Sequence, residues 1–223
     1  MSDLMCREKK FKKINIGLLV FMAVITGYCA LRGLYRGDNY AAFQAVLALA
    51  MFTFPALITR FLHFYIPEDC RLLYYVFTFC TVVVGSAMYG YSRIPYWDKL
   101  FHFFSGILIS AVGFLVCFLL FHTLSGERKV RYVLYLLFPF LFNLSVAALW
   151  EVYEYFLYIL LGIDAVNNLT TGVNDTMQDI IVCLLGGVVF TCSVLRVYLK
   201  GKYGFILKVC VHFLQLHGIK KNN

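Results

Sequence analysis

Three pairs of polar residues in this chain have the types and spacing to do chemistry: Glu151 with Glu154, Asp98 with His102, and Asp175 with Asp179. Separations of three and four residues put each pair on one face of a helix. The glutamates close a long apolar run that begins near Tyr132, and acids in such a place are costly unless partnered. Five carboxylates and one imidazole on neighbouring helices would build a strong negative field. Arg93 and Lys99, the basic residues of the nearby loop, are too few to neutralise it. Either several acids hold protons or a cation is bound. Carboxylate oxygens with a single imidazole suit one divalent cation: Mg²⁺, Mn²⁺, Zn²⁺ or Fe²⁺. Asp98, His102, Glu151, Glu154, Asp175 and Asp179 are thus the expected metal ligands, with His102, Glu151 and Glu154 as candidate catalytic groups.

Each pair also has a plainer explanation. Asn174 or Asp175 could cap a helix, and acids in a first turn are favoured by the helix dipole. Asp98 could pair with Lys99 or Arg93. Glu151 and Glu154 fit this explanation poorly, because a span ending near residue 160 puts them at a C-terminal end, where the dipole disfavours anions.

The elements that must position these residues follow from composition. Of 223 residues, 61% are hydrophobic and 14% charged, whereas soluble domains carry about 25% charged residues. An all-α, polytopic membrane helix bundle is expected. The net charge of +8 sits in short loops and at both ends. It reads as topology signals and contacts with membrane lipids, not as nucleic-acid binding. Eight cysteines show no Cys-x-x-Cys spacing, and several fall inside apolar runs, where free Cys behaves as a small hydrophobe. No cleavable signal peptide is evident before or after the first run.

Six apolar runs lie at about 14–34, 40–60, 72–91, 100–122, 132–160 and 177–198. Each reaches the roughly 20 residues that cross a hydrocarbon core, and in lipid each must be helical. Pro55 and Pro139 predict bends in the second and fifth spans. The domain organisation is a basic cytoplasmic arm over 1–13, a six-span domain over 14–198 and a basic amphipathic tail over 199–223. With the N-terminus inside, sixteen of the 20 Lys and Arg fall in inside segments and four in outside loops. This bias places both termini in the cytoplasm of a cell (plasma) membrane protein. All three polar pairs then lie at the extracytoplasmic face. Glu151 and Glu154 come roughly 28–33 Å of helix after Tyr132.

In the tail, Lys208, His212 and Gln215 form a polar stripe at i, i+4, i+7, which predicts a C-terminal helix lying in the inner interface. Ser86 with Gly90, Gly106 with Ser110, and Gly186-Gly187 offer close helix packing. His63 and His122 are expected at the inner interface, and Tyr89, Tyr91, Tyr96, Trp97, Trp150, Tyr153 and Tyr155 in an outer aromatic belt. The sequon Asn168-Leu169-Thr170 reads as a chance match.

The segment Tyr96-Trp97-Asp98-Lys99-Leu100-Phe101-His102-Phe103-Phe104-Ser105-Gly106, followed by Trp150-Glu151-x-x-Glu154, Asp175-Thr176-x-x-Asp179 and Gly186-Gly187, resembles the YjdF-like family of bacterial inner-membrane proteins. The resemblance covers roughly residues 70–200 and implies a multi-span helical membrane protein. The layout is more distantly similar to VanZ-like proteins, but the Glu-x-x-x-Gln and Arg-x-x-Asp of that type are missing, so a glycopeptide-resistance role is not carried over.

Three functions fit. One is a metal-dependent enzyme acting at the outer leaflet on a lipid or lipid-linked cell-envelope substrate, with the ion polarising a phosphoryl or carbonyl oxygen. The second is a non-catalytic module in which a cation or shared protons clamp three helices. The third is a lipid or small-molecule transporter. Transporters usually place ionisable groups near the midplane, where this chain holds little beyond Gln44 and Asn143.

Overall fold

The computed structural model of the protein describes residues 2–121, 128–163 and 169–218. His122 and Asn168 of the sequon lie outside the described residues. Every regular element among the described residues is helical. In chain order these are α1 (Ser2–Arg36), α2 (Asn39–Phe61), α3 (Glu68–Thr78) continued by a π-helical segment Phe79–Ala87, and the single turn α4 (Gly90–Arg93). Then come α5 (Trp97–Phe121), α6 (Arg128–Leu161), α7 (Val173–Lys200) and α8 (Phe205–Leu216).

Six helices are long and apolar enough to cross a membrane: Leu4–Arg36, Asn39–Phe61, Glu68–Ala87, Trp97–Phe121, Val130–Leu160 and Val173–Lys200. On α1, Val20, Phe21, Val24 and Leu31 are 60–70% exposed. A continuous apolar face of that kind is costly in water and costs nothing against lipid. The shorter α8, with 12 residues, spans about 18 Å and falls short of a hydrocarbon core.

Helix ends follow from local chemistry. The Asp38 side chain accepts the Ala41 N–H at 3.0 Å and caps α2. The Tyr89 hydroxyl donates to the same carboxylate at 2.8 Å. The Ala41 amide first, then the Tyr89 hydroxyl, hold Asp38 below its ordinary carboxylate value, and the same bond raises the Tyr89 hydroxyl. Gly201, in the left-handed region at φ +65°, ends α7. α6 runs unbroken through Pro139, and α2 through Pro55.

The chain divides into two compact units, Met1–Trp97 with Val211–Asn223, and Asp98–Cys210. In the first, α1 packs on α2 and α3 around Met22, Ala45, Ala48, Phe52, Tyr75 and Val83. The basic residues near the N-terminus extend the helix of the first span, since α1 begins at Ser2.

In the second unit, Phe114, Phe190 and Val194 form the centre, with the Phe114 and Phe190 rings edge to face at 6.0 Å. α5 and α7 touch backbone to backbone. A Cβ on Gly106 would lie 2.0 Å from the Cys183 carbonyl oxygen, and one on Gly186 would lie 2.2 Å from that of Phe103. Only glycine permits this approach, so the small residues noted in the sequence are a requirement of the fold. α6 joins this pair through Asn143, which is fully buried. Its amide donates to the Cys183 carbonyl at 3.0 Å, and the Cys183 thiol donates back to Asn143 Oδ1 at 3.2 Å. A buried amide in a span needs such partners.

Candidate functional site

One helical turn before Cys183 on α7 stands Asp179, and two turns beyond Asn143 on α6 stands Glu151. The packing that sets the spacing of α5, α6 and α7 therefore also sets the three polar pairs. The second unit contains all six of these residues.

At the centre of the cluster is Lys99, one of the two loop bases that the sequence sets beside these acids. The Lys99 ammonium lies 2.6 Å from Asp175, 2.7 Å from Asp179 and 3.4 Å from Asp98. Lys99 belongs to the first turn of α5, and from there its side chain reaches α7. The pairing of Lys99 with Asp98 considered from the sequence is present, and Lys99 also reaches Asp175 and Asp179, yet one ammonium does not balance five carboxylates.

His102, one turn after Asp98, turns Nε2 toward two carboxylates, Asp98 Oδ1 at 3.5 Å and Asp179 Oδ1 at 3.7 Å. These separations are too long for good hydrogen bonds. Ligand atoms of Asp98, His102 and Asp179 all lie within 4.8 Å of one another.

Glu151 is 6% exposed, and its Oε2 has no hydrogen-bond partner. It hydrogen-bonds Thr176 and lies within electrostatic reach of His102, Asp98 and Asp175. Glu154 accepts the Trp150 indole N–H at 2.9 Å and stands within electrostatic reach of Glu151, His102 and Asp98. Trp150 itself is half-exposed and stacks obliquely on Tyr153 at 5.4 Å.

Two arguments made from the sequence change. α6 ends at Leu161, close to the expected residue 160, but Glu151 and Glu154 lie about two turns or more before that end. The dipole acts only within the last turn, so burial, not the dipole, makes these carboxylates costly. Asp175 does not cap α7. The cap position is Gly172, with no side-chain bond, and Asp175 reaches Lys99 instead.

A second polar cluster, in the first unit, escaped the sequence reading. Glu8 of α1, Asp69 of α3 and His212 of α8 are buried, with ligand atoms within 4.8 Å of one another. His212 is 1% exposed, whereas Lys208 and Gln215 are exposed. The proposed tail stripe is therefore broken: His212 faces inward because Asp69 accepts its Nδ1–H at 2.8 Å. The sequence signal was slight: Glu8 set among the five bases of the first thirteen residues, with Asn15 seven residues on along the same face.

Together these features define a polytopic α-helical membrane protein with a half-buried acid–histidine cluster across three spans. The chain belongs to the family DUF2238, described as a predicted membrane protein, whose profile matches residues 17–200. A curated relative from Thermotoga maritima, titled "Uncharacterized protein", is 27% identical over 134 residues. That match covers 59% of this chain and 65% of the relative's own length. No solved structure matches the chain.

Proposed function

We propose that this membrane protein binds one divalent cation among Asp98, His102, Asp179 and Glu151, at the extracytoplasmic ends of α5, α6 and α7. The observation that carries the reading is the convergence of ligand atoms from Asp98, His102 and Asp179 within 4.8 Å, beside a buried Glu151 oxygen that has no partner. Two ligands at about 2.1 Å from a tetrahedral ion are about 3.4 Å apart. The 3.5 and 3.7 Å separations from His102 Nε2 are close to that value. Even with Lys99 and His102 both charged, three of the five carboxylate charges remain unbalanced. Glu154 and Asp175 border the site as further carboxylates. The resemblance to YjdF-like inner-membrane proteins supports a plasma-membrane location, and the bias of Lys and Arg supports both termini inside.

Such an ion, when bound, supplies Lewis-acid polarisation of a phosphoryl or carbonyl oxygen. A lipid or lipid-linked substrate reaching the site from the outer leaflet would meet it there, with Glu154, which borders the site, to take a proton. A second reading is favoured by the position of Lys99: its ammonium is already the cation that clamps α5 to α7, and the module is structural.

Elemental analysis of purified, untagged protein after dialysis separates the two. The cation reading expects about one equivalent of divalent metal that the Glu151→Gln variant lacks. Equal metal content in the two proteins would favour the Lys99 clamp.

A further inference from the structure

The first unit holds a buried cluster that the reading above does not use, built where the N-terminal turns of α1 and α3 meet α8. Three carboxylates, Glu8, Glu68 and Asp69, face two guanidiniums. Arg7 Nη2 donates to Asp69 Oδ2 at 2.6 Å, and Arg71 Nη1 lies 3.7 Å from Glu68. Charge is thus one positive unit short if His212 is neutral.

The hydrogen bonds leave three buried atoms of the cluster without a partner: Asn15 Oδ1, His212 Nε2 and the donor Arg7 Nε. Asn15 Nδ2 donates to the Glu68 carbonyl and to Glu68 Oε2, both at 2.7 Å, which fixes the amide orientation. Its Oδ1 is then a buried acceptor with no donor. The Tyr65 hydroxyl donates to Glu8 Oε2. Burial first, then this bond, hold the Tyr65 hydroxyl well above its ordinary value, so it stays a donor. The Glu68 N–H reaches both Glu8 oxygens at 3.3 Å, leaving Oε1 with lone-pair capacity.

His212 is the decisive residue. Its Nδ1 must carry the proton, because Asp69 Oδ2 can only accept. Its Nε2 is buried and has no hydrogen-bond partner, yet it lies 3.5 Å from Glu8 Oε1. That separation is long for a hydrogen bond. It matches the roughly 3.4 Å between two ligands of a tetrahedral ion. A carboxylate that fixes one ring nitrogen while the other faces open is how ligating histidines are held.

We propose that Glu8 Oε1 and His212 Nε2 ligate a divalent transition-metal cation, with Asp69 the positioning residue for the imidazole. Imidazole nitrogen with carboxylate oxygen selects Zn²⁺, Mn²⁺, Fe²⁺ or Co²⁺ over Ca²⁺. The ion supplies the missing positive charge and ties α8 to the starts of α1 and α3. The site is independent of the α5–α7 cluster and stands whether or not that one binds metal.

The test uses untagged full-length protein, stripped with EDTA and titrated with Co²⁺, whose visible absorption reports nitrogen and oxygen ligation. To keep the two clusters apart, the titration is run in the Glu151→Gln background. That protein is expected to take up one Co²⁺ with an absorption band. Adding His212→Gln, or in a separate variant Glu8→Gln, should remove the band and weaken binding at least 100-fold. Asp69→Asn should weaken it about 10–100-fold without abolishing the band. Size-exclusion profiles check folding, and the two ligand variants cover each other if one fails to fold. A Co²⁺ spectrum and affinity unchanged by both His212→Gln and Glu8→Gln would overturn the proposal. So would the absence of any Co²⁺ uptake by the Glu151→Gln protein, which would mean that His212 meets Glu8 by holding a second proton.

Discussion

Lys99 is the residue whose role the sequence concealed most. Its neighbours in sequence suggested a loop charge beside Asp98, but α5 starts at Trp97, and one helical turn carries the ammonium to Asp175 and Asp179. Long-range pairs of this sort depend on which helix faces which, and no local pattern encodes that. The five acids and the histidine were legible because apolar surroundings make polar residues conspicuous. Glu8 and His212 were not, since each sits among charged or polar neighbours that suggest a solvated face. Replacing Lys99 with Met should leave three carboxylates facing one another. The expected loss of stability is about 3 kcal/mol or more, the usual effect of breaking a buried pair, read as a lower melting temperature in detergent.

Asp38 makes a second residue-scale prediction. Its folded pKa lies below its unfolded value, so it stabilises the fold above the unfolded value, near pH 3.9. That contribution is lost as pH falls through the folded pKa. Asp38→Asn should therefore lower stability at neutral pH, with the difference from wild type shrinking toward pH 3. Paired melting curves across that range would show this, and a difference independent of pH would contradict it.

At the scale of elements, span number and approximate position came from length and hydropathy alone, because a hydrocarbon core imposes both. Helix ends did not. α1 extends back to Ser2 and α6 back to Arg128, since helices continue past the bilayer wherever the backbone has no cause to stop. The π-helical stretch Phe79–Ala87 likewise has no sequence signature here. The glycines were noted only as small residues, and the structure shows what they permit. Gly106→Ala and Gly186→Ala each place a Cβ against a backbone oxygen that cannot rotate away. Each should cost about 1–3 kcal/mol by overpacking. Because the same contact sets α5 against α7, each should also weaken ion binding at Asp98, His102 and Asp179. Metal titration of these variants checks the coupling. Unchanged affinity in a destabilised protein would show that the site does not depend on this helix spacing.

For the whole molecule, the charge bias predicts an orientation, with both termini inside, that the helices themselves do not. In a Cys-free background, Leu169→Cys should react with an impermeant maleimide added outside intact cells, and Lys202→Cys should react only after permeabilisation. The reverse pattern would place the α5–α7 cluster at the inner face and remove the outer-leaflet substrate from consideration.

The central claim is that a cation occupies the α5–α7 cluster, and thermal melting with and without chelator tests it most directly. A ligand bound only to the folded state adds about 2.7 kcal/mol at one hundred times its dissociation constant. Glu151→Gln keeps the shape of the side chain and removes its charge, leaving the Glu8–His212 cluster untouched. Chelator should therefore lower the melting temperature of wild type by several degrees more than that of Glu151→Gln. Equal shifts in the two proteins, or a Glu151→Gln protein that melts higher than wild type without chelator, would mean that the acids merely repel one another and that Lys99 is their only cation.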